Sequence, residues 1–170
     1  MEKPRGVIKR ALTSGTVSGI ATAIAAALAG KREDGSYAAP LNATSHVLWG
    51  DKAAHQDDAS LKYTLTGLLL NHAAAIFWAL FYEKWFGRRG TGSVAGTAGA
   101  DEARSLAKPI LGAAAVTAGA YVTDYYLIPE RFTPGFEKRL SGKSLATIFG
   151  ILAVGLVACD LIDAAKSRRR

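Results

Sequence analysis

Four stretches of this chain are each long enough to match the apolar thickness of a bilayer, and no other feature constrains the fold so tightly. About 20 mostly apolar residues in a helix span the hydrocarbon core. The stretches run over residues 7–29, 61–82, 109–128 and 145–165 of the 170. The expected fold is therefore all-α: an integral membrane four-helix bundle forming a single domain over residues 1–170. The first stretch, "ALTSGTVSGIATAIAAALAG", is the least hydrophobic, being built from Ala, Gly, Ser and Thr. Its basic start and small residues also fit a signal peptide; a retained span is the expectation.

Charge placement orients the bundle. The formal net charge is +7 and the pI near 9.7, values that in a soluble chain would point to nucleic acid. Here the basic residues flank apolar runs and no nucleic-acid motif is present, so nucleic acid is not an expected partner. With the N-terminus inside, thirteen Lys and Arg fall in the inner segments and eight in the outer loops. The positive-inside rule then makes both termini cytoplasmic. Aromatics cluster where interfacial belts belong. Trp78, Phe81, Tyr82, Trp85 and Phe86 mark the inner end of span two; Tyr121, Tyr125 and Tyr126 mark the outer end of span three.

Local signals mark the span ends. Ser60 is placed to cap span two, Pro109 suits the first turn of span three, and Pro129 suits its exit. In the first outer loop, "PLNATSHVLWG" (residues 40–50) reads as a short interfacial helix with Leu41, Leu48 and Trp49 on one face, which near Asp124 and Tyr125 would pack across the bundle mouth. Asn42-Ala43-Thr44 has the form of a glycosylation sequon. The inner loop 88–108 is rich in Gly, Ala, Ser and Thr and reads as a flexible linker. Gly90, Gly92 and Ala95 nominally fit a dinucleotide fingerprint, but no strand precedes them. Cys159 is the one cysteine, so no intramolecular disulfide forms.

Asn71 and His72 interrupt the apolar run "LLLNHAAAI". By helical rise His72 lies about 16 Å into span two, near the bilayer midplane. Ser18 and Gly19 of span one, Gly119 and Gly155 reach a similar depth. Gly15, Gly19 and Ala23 form a small-residue groove for close helix packing, within the bundle or between copies. Ser14, Ser18 and Thr22 run beside it as a hydroxyl stripe. The structural expectation is that Asn71 and neutral His72 bond Ser18 or a backbone carbonyl. The functional alternative is a solute or proton path from outer Asp124 through His72 to inner Asp160. Outside that alternative, Asp124 bonds a Tyr hydroxyl and Asp160 snorkels to the basic inner surface.

Other chemistries lack support. Haem would need a second axial ligand, and His72 is the one His within a span. In the outer loop, Asp51, His55 and Asp58 share a face if residues 51–58 are helical, a spacing better read as a solvated charged cap than as a metal site. No nucleophile–base pair is evident. The expectation is a non-enzymatic protein without cofactor or metal. Its surroundings are the lipid bilayer, and its partner is a second copy or another membrane protein.

Two segments taken together carry a resemblance: "NATSHVLWGDKAA" leading into "LKYTLTGLLLNHAAAIFWALFYE", and "YVTDYYLIPERFTPGFEKRLS". They resemble a group of small, uncharacterised bacterial inner-membrane proteins with four predicted spans. The resemblance implies that membrane and transfers no catalytic residue. It directs interest to an outer-facing set: Asn42, His46, Trp49, Asp51, Asn71, His72, Asp124 and Tyr125.

Overall fold

The computed structural model describes residues 4–87 and 100–167, and the described residues contain helices and no strand. Four helices are long and apolar enough to cross a membrane. They are α1 (Pro4–Asp34), α4 (Thr66–Trp85, preceded by a π turn Leu61–Leu65), α5 (Ala100–Val122, continued by a π turn Thr123–Leu127) and α6 (Gly142–Ser167). Two short helices, α2 (Ala39–Thr44) and α3 (His46–Trp49), follow α1. Helix α1 is the centre of the bundle: it packs along both α4 and α6, and α5 packs on α6. The expected linker over 88–99 lies outside the described residues.

The sequence explains the helix limits. Ala-rich α1 has strong intrinsic helicity and stops at Gly35, whose φ of +74° favours glycine. Lys31 closes that end by donating to the Gly35 carbonyl at 3.0 Å. As expected, Ser60 caps the second span: its hydroxyl accepts from the Tyr63 N–H at 3.0 Å. Pro129 follows the π turn that ends α5, where Ile128 N–H reaches the Thr123 carbonyl at 3.1 Å. The third span departs from expectation at its start. It begins at Ala100, so Pro109 lies inside α5 rather than in its first turn. The helix-forming run "ADEARSLAK" extends it backwards past the proline.

One face of α1 is small and the opposite face is large. Ala11, Ser14, Ser18, Thr22, Ala23 and Ala26 are buried, whereas Ile8, Leu12, Ile20, Ile24 and Leu28 stand exposed at four- or eight-residue intervals. Exposed large apolar side chains also line α4, α5 and α6, including Leu69, Phe77, Leu111 and Val154. Such a perimeter suits lipid and not water. The start of α1 and the last turns of α6 lie at one end of the bundle, since Arg10 of α1 reaches Asp163 of α6 at 3.4 Å. That end is called the terminal end below, and the opposite one the cap end.

The cap lies across the bundle mouth, as one reading of the sequence has it, but its form departs from that reading. Residues 40–50 do not form one amphipathic helix on the surface. The chain breaks at Ser45, all six residues of α2 are buried, and Leu48 and Trp49 are exposed while Leu41 is not. Helix α2 plugs the mouth of the bundle. It can do so because glycines admit it: a Cβ on Gly67 would sit 1.7 Å from the Leu41 carbonyl oxygen, and one on Gly30 would meet the Pro40 ring. Asn42 at its centre is fully buried. Its amide donates to the Gln56 and Asp58 carbonyls at 2.9 and 3.0 Å and accepts from Thr64 Oγ1 at 2.6 Å. An amide so enclosed is closed to glycosylation in the folded chain.

Salt bridges pin the cap from outside. Arg139 pairs with Asp34 and Asp57 and donates to the Ala54 carbonyl at 3.0 Å. Glu33 accepts from Ser141 N–H at 2.7 Å and Ser144 Oγ at 2.5 Å. Substituting Gly67→Ala should therefore lower stability by about 1–3 kcal/mol, the usual cost of overpacking. Gly119→Ala, where a Cβ meets nothing within 4 Å, should not lower it. Thermal unfolding of the detergent-solubilised chain measures both, and equal melting temperatures for the two variants would refute the plug.

Candidate functional site

Three levels of polar groups lie between the helices. At the terminal end Arg10 joins three helices. Its Nε meets Glu83 Oε2 at 2.8 Å and its Nη2 meets Asp160 Oδ1 at 2.5 Å. The Tyr82 hydroxyl donates to Asp160 Oδ2 at 2.5 Å, and Ser14 Oγ donates to Glu83 Oε1 at 3.0 Å. Asp160 and Tyr82 are 0% exposed and Glu83 3%. Buried carboxylates persist where a cation and further hydrogen bonds answer them, and this cluster supplies both. Asp160 thus does not snorkel to the surface as expected. Its short side chain starts on the inner face of α6, and Arg10 comes to it.

Halfway along, Asn71 and His72 join α4 to α1, though not through Ser18. The Asn71 amide donates to the Gly19 carbonyl at 2.9 Å and faces the Thr22 hydroxyl at 3.3 Å. The Ser18 hydroxyl turns back to the Ser14 carbonyl at 2.8 Å, and a Cβ on Gly155 of α6 would collide with it. Half-buried His72 lies on the seam between α1 and α4, with Nε2 3.3 Å from Thr16 Oγ1. Its ring occupies the space a Gly19 side chain would need, 2.8 Å from that Cβ position. Gly15 likewise receives the Ile76 backbone, and Ala23 lies in the apolar cluster with Leu41 and Phe136. The small-residue groove is therefore filled by α4 of the same chain.

Toward the cap, α4 and α5 diverge. Near the terminal end they touch where Phe86 covers Gly112, whose Cβ position is 2.2 Å from the ring. Toward the cap they leave a cavity of about 230 Å³. Asn71 and Trp78 of α4, Asp124 of the α5 π turn, and Phe149 of α6 line it, with Thr44 and Phe136 as its roof. His72 does not line it. Asp124 has no hydrogen bond or ion pair among the described residues, and does not bond a Tyr hydroxyl as expected. Beside it, Tyr125 Oη and Glu137 Oε2 are enclosed and adjacent, yet short of hydrogen-bonding geometry. Glu137 Oε1 accepts from Thr133 Oγ1 at 2.5 Å.

The residues expected in the outer loop separate into two roles. His46 is buried, with Nδ1 2.8 Å from the Ala43 carbonyl and Nε2 3.1 Å from the Glu130 carbonyl. It ties the cap to the segment after α5. Trp49 is exposed, its indole 3.4 Å from Thr66 Oγ1 and its ring under Lys62 Nζ at 4.8 Å. A hydrogen bond from Lys138 at 3.2 Å holds the Asp51 carboxyl below its usual value. His55 Nδ1 meets the Asp51 carbonyl at 2.9 Å. Residues 51–55 form a short 3-10 turn and the chain leaves it extended at Gln56, so Asp51, His55 and Asp58 share no helical face. No group of three or more His, Cys, Asp or Glu among the described residues is arranged to hold a metal.

Comparison with protein-family models, with curated proteins and with solved structures returned no match. The site therefore stands on its own geometry. Asn71, Thr22 and Asp124 share the cavity; Asp160 belongs to the terminal cluster; His72 lies outside both. Sequence reading passed over Arg10, Glu83 and Tyr82. The available signal was depth: Arg10, Glu83 and Asp160 all fall within a turn or two of the same end.

Removing Arg10 leaves two buried carboxylates without their cation. Arg10→Met should cost about 3–5 kcal/mol, and Asp160→Asn in that background should recover part of the loss. Detergent-denaturation curves of the single and double variants measure this; strict additivity would refute a shared cluster.

Proposed function

We propose that this chain is a multi-pass protein of a bacterial inner membrane with both termini cytoplasmic, acting without catalysis as an interaction or accessory protein. What supports this most is how the polar groups in the helices are engaged. Arg10, Glu83, Asp160 and Asn71 hold helices to one another. Polar groups used this way fix a bundle and do not form a conduction path. The membrane assignment draws on the four apolar helices and their lipid-like perimeter. The bacterial inner membrane comes from the resemblance of its central and third-span segments. Orientation follows the excess of Lys and Arg on the terminal side, thirteen against eight. Because α4 fills the Gly15–Gly19 groove, a partner or second copy meets the large-residue faces instead.

The alternative, proton-linked transport through His72, Asp124 and Asp160, needs these three groups to communicate. Asp160 is locked between Arg10 and Tyr82, and His72 faces Thr16 away from the cavity. Purified chain in liposomes loaded with a pH dye should show no proton flux above empty liposomes. Flux that disappears in His72→Gln would overturn the non-transport reading. Orientation has its own test. A C-terminal green fluorescent protein fusion should fluoresce and an alkaline phosphatase fusion should be inactive; the reverse pair places the termini outside.

A further inference from the structure

The cavity beneath the cap holds the feature that the fold alone leaves unexplained. A carboxylate among apolar walls is costly unless a cation or donors answer it. Elsewhere in this chain they do: Glu83 and Asp160 have Arg10, Asp34 and Asp57 have Arg139, and Asp51 has Lys138. Asp124 has neither among the described residues, and Glu137 stands nearby with one enclosed oxygen unanswered. The cations closest in sequence are committed or elsewhere. Lys138 and Arg139 form the pairs just named, and Arg131 lines a separate cleft with Asp51 and His46.

The remaining walls narrow the ligand class. Trp78, Phe132, Phe136 and Phe149 present aromatic surface, which attracts cations through the negative faces of the rings. At about 230 Å³ the space exceeds a cavity that admits benzene, roughly 150 Å³. It falls short of drug-sized pockets, which begin near 300 Å³. A single ring or short chain bearing an ammonium head fits that interval. Asp124 is the one carboxylate among the described residues that line the space, too few donors for a transition-metal site, and no Lys or Arg is among them to hold a phosphate. The π turns at Leu61–Leu65 and Thr123–Leu127 lie at the cap ends of α4 and α5, the helices flanking the cavity. The second of them carries Asp124. Such turns often occur where a helix re-aims side chains at a functional site.

We propose that this cavity binds a small organic monocation, an amine or quaternary ammonium, with its head against Asp124 and its apolar body against Trp78 and Phe149. The site does not depend on which side of the membrane the cap faces. Binding closes the charge left open at the cap end and joins α4 to the packed α5 and α6.

Benzyltrimethylammonium is the probe, and neopentylbenzene its uncharged isostere. Full-length chain carrying Trp49→Phe and Trp85→Phe leaves Trp78 as the one indole N–H signal in the NMR spectrum of the lipid nanodisc. The cation should shift that signal saturably, with one site per chain, and neopentylbenzene should not compete. Asp124→Asn should weaken binding by about tenfold or more, the loss of one charge-assisted contact. Ala74→Phe, which fills the cavity and leaves Asp124 in place, should abolish it, and carries the test if the Asn variant does not fold. No saturable shift, unchanged affinity in Asp124→Asn, or equal binding of neopentylbenzene would overturn the proposal. A co-purified phospholipid at Trp78 that the cation fails to displace would also overturn it, assigning the cavity to lipid.

Discussion

Helices in lipid gain little by hiding apolar surface from one another, because the lipid tails are equally apolar. They associate where backbones approach closely and where polar groups bond across the gap. In this chain both conditions are met on one face of α1. Gly15 and Gly19 let the backbone of α4 come against that of α1, and Gly155 lets α6 come against Ser18. The Asn71–Gly19 bond follows from the same absence of side chains, since a Cβ at Gly19 would occupy the space the His72 ring needs. Helix α5 packs on α6 and, at Gly112, against Phe86 at the end of α4, so its position too descends from the helices on the α1 seam.

The seam sets distance, and the terminal cluster sets depth. Small residues repeat along α1, so sliding α4 by one turn would still match glycine to backbone. An ion pair does not allow that slip: Glu83, Asp160 and Arg10 must come to one level, and a displaced helix would leave a buried carboxylate alone. The Tyr82 hydroxyl and Ser14 reinforce that level from α4 and α1. Specification of register is the best-attested use of buried polar groups, and the cluster has that form.

The spans were legible because helical length and apolarity are local properties. The Ser60 cap was legible because capping depends on one side chain and the next three amides. The partners across the bundle were not. Asn71 was read as a partner of Ser18 or of a backbone carbonyl from matching depth, and the Gly19 carbonyl is what it meets; depth does not give rotation about the helix axis, and Ser18 faces α6. Arg10 was counted with the basic residues flanking the first apolar run, and Glu83 fell one residue past the second stretch, because charge ends an apolar count. The helices continue through them, to Pro4 at one end and Trp85 at the other. Pro109 read as a start for the same reason: a hydropathy window cannot separate the beginning of a helix from the beginning of its apolar part. The cap was misread as amphipathic because its periodicity was counted across Ser45, where the helix breaks. What buries α2 is glycine on other helices, Gly30 and Gly67, information absent from residues 40–50 themselves.

That burial has a consequence for the cavity. A helix on the surface of the bundle would leave the mouth open, and α4 and α5 would be free to close on each other. With α2 wedged at Gly67 and held through Asn42 and Thr64, the cap end of α4 is fixed. With His46 bonded to the Glu130 carbonyl, the segment leaving α5 is fixed as well. The two helices meet at Phe86 and Gly112, and α2 seated at Gly67 stands at the cap, so the space lies between two close approaches. A half-open cavity with Asp124 at its end sets that carboxylate against apolar walls, at a cost. The fold removes that cost in one of two ways: a proton on Asp124, or a cation beside it. The aromatic walls lower the energy of the second state and do nothing for the first.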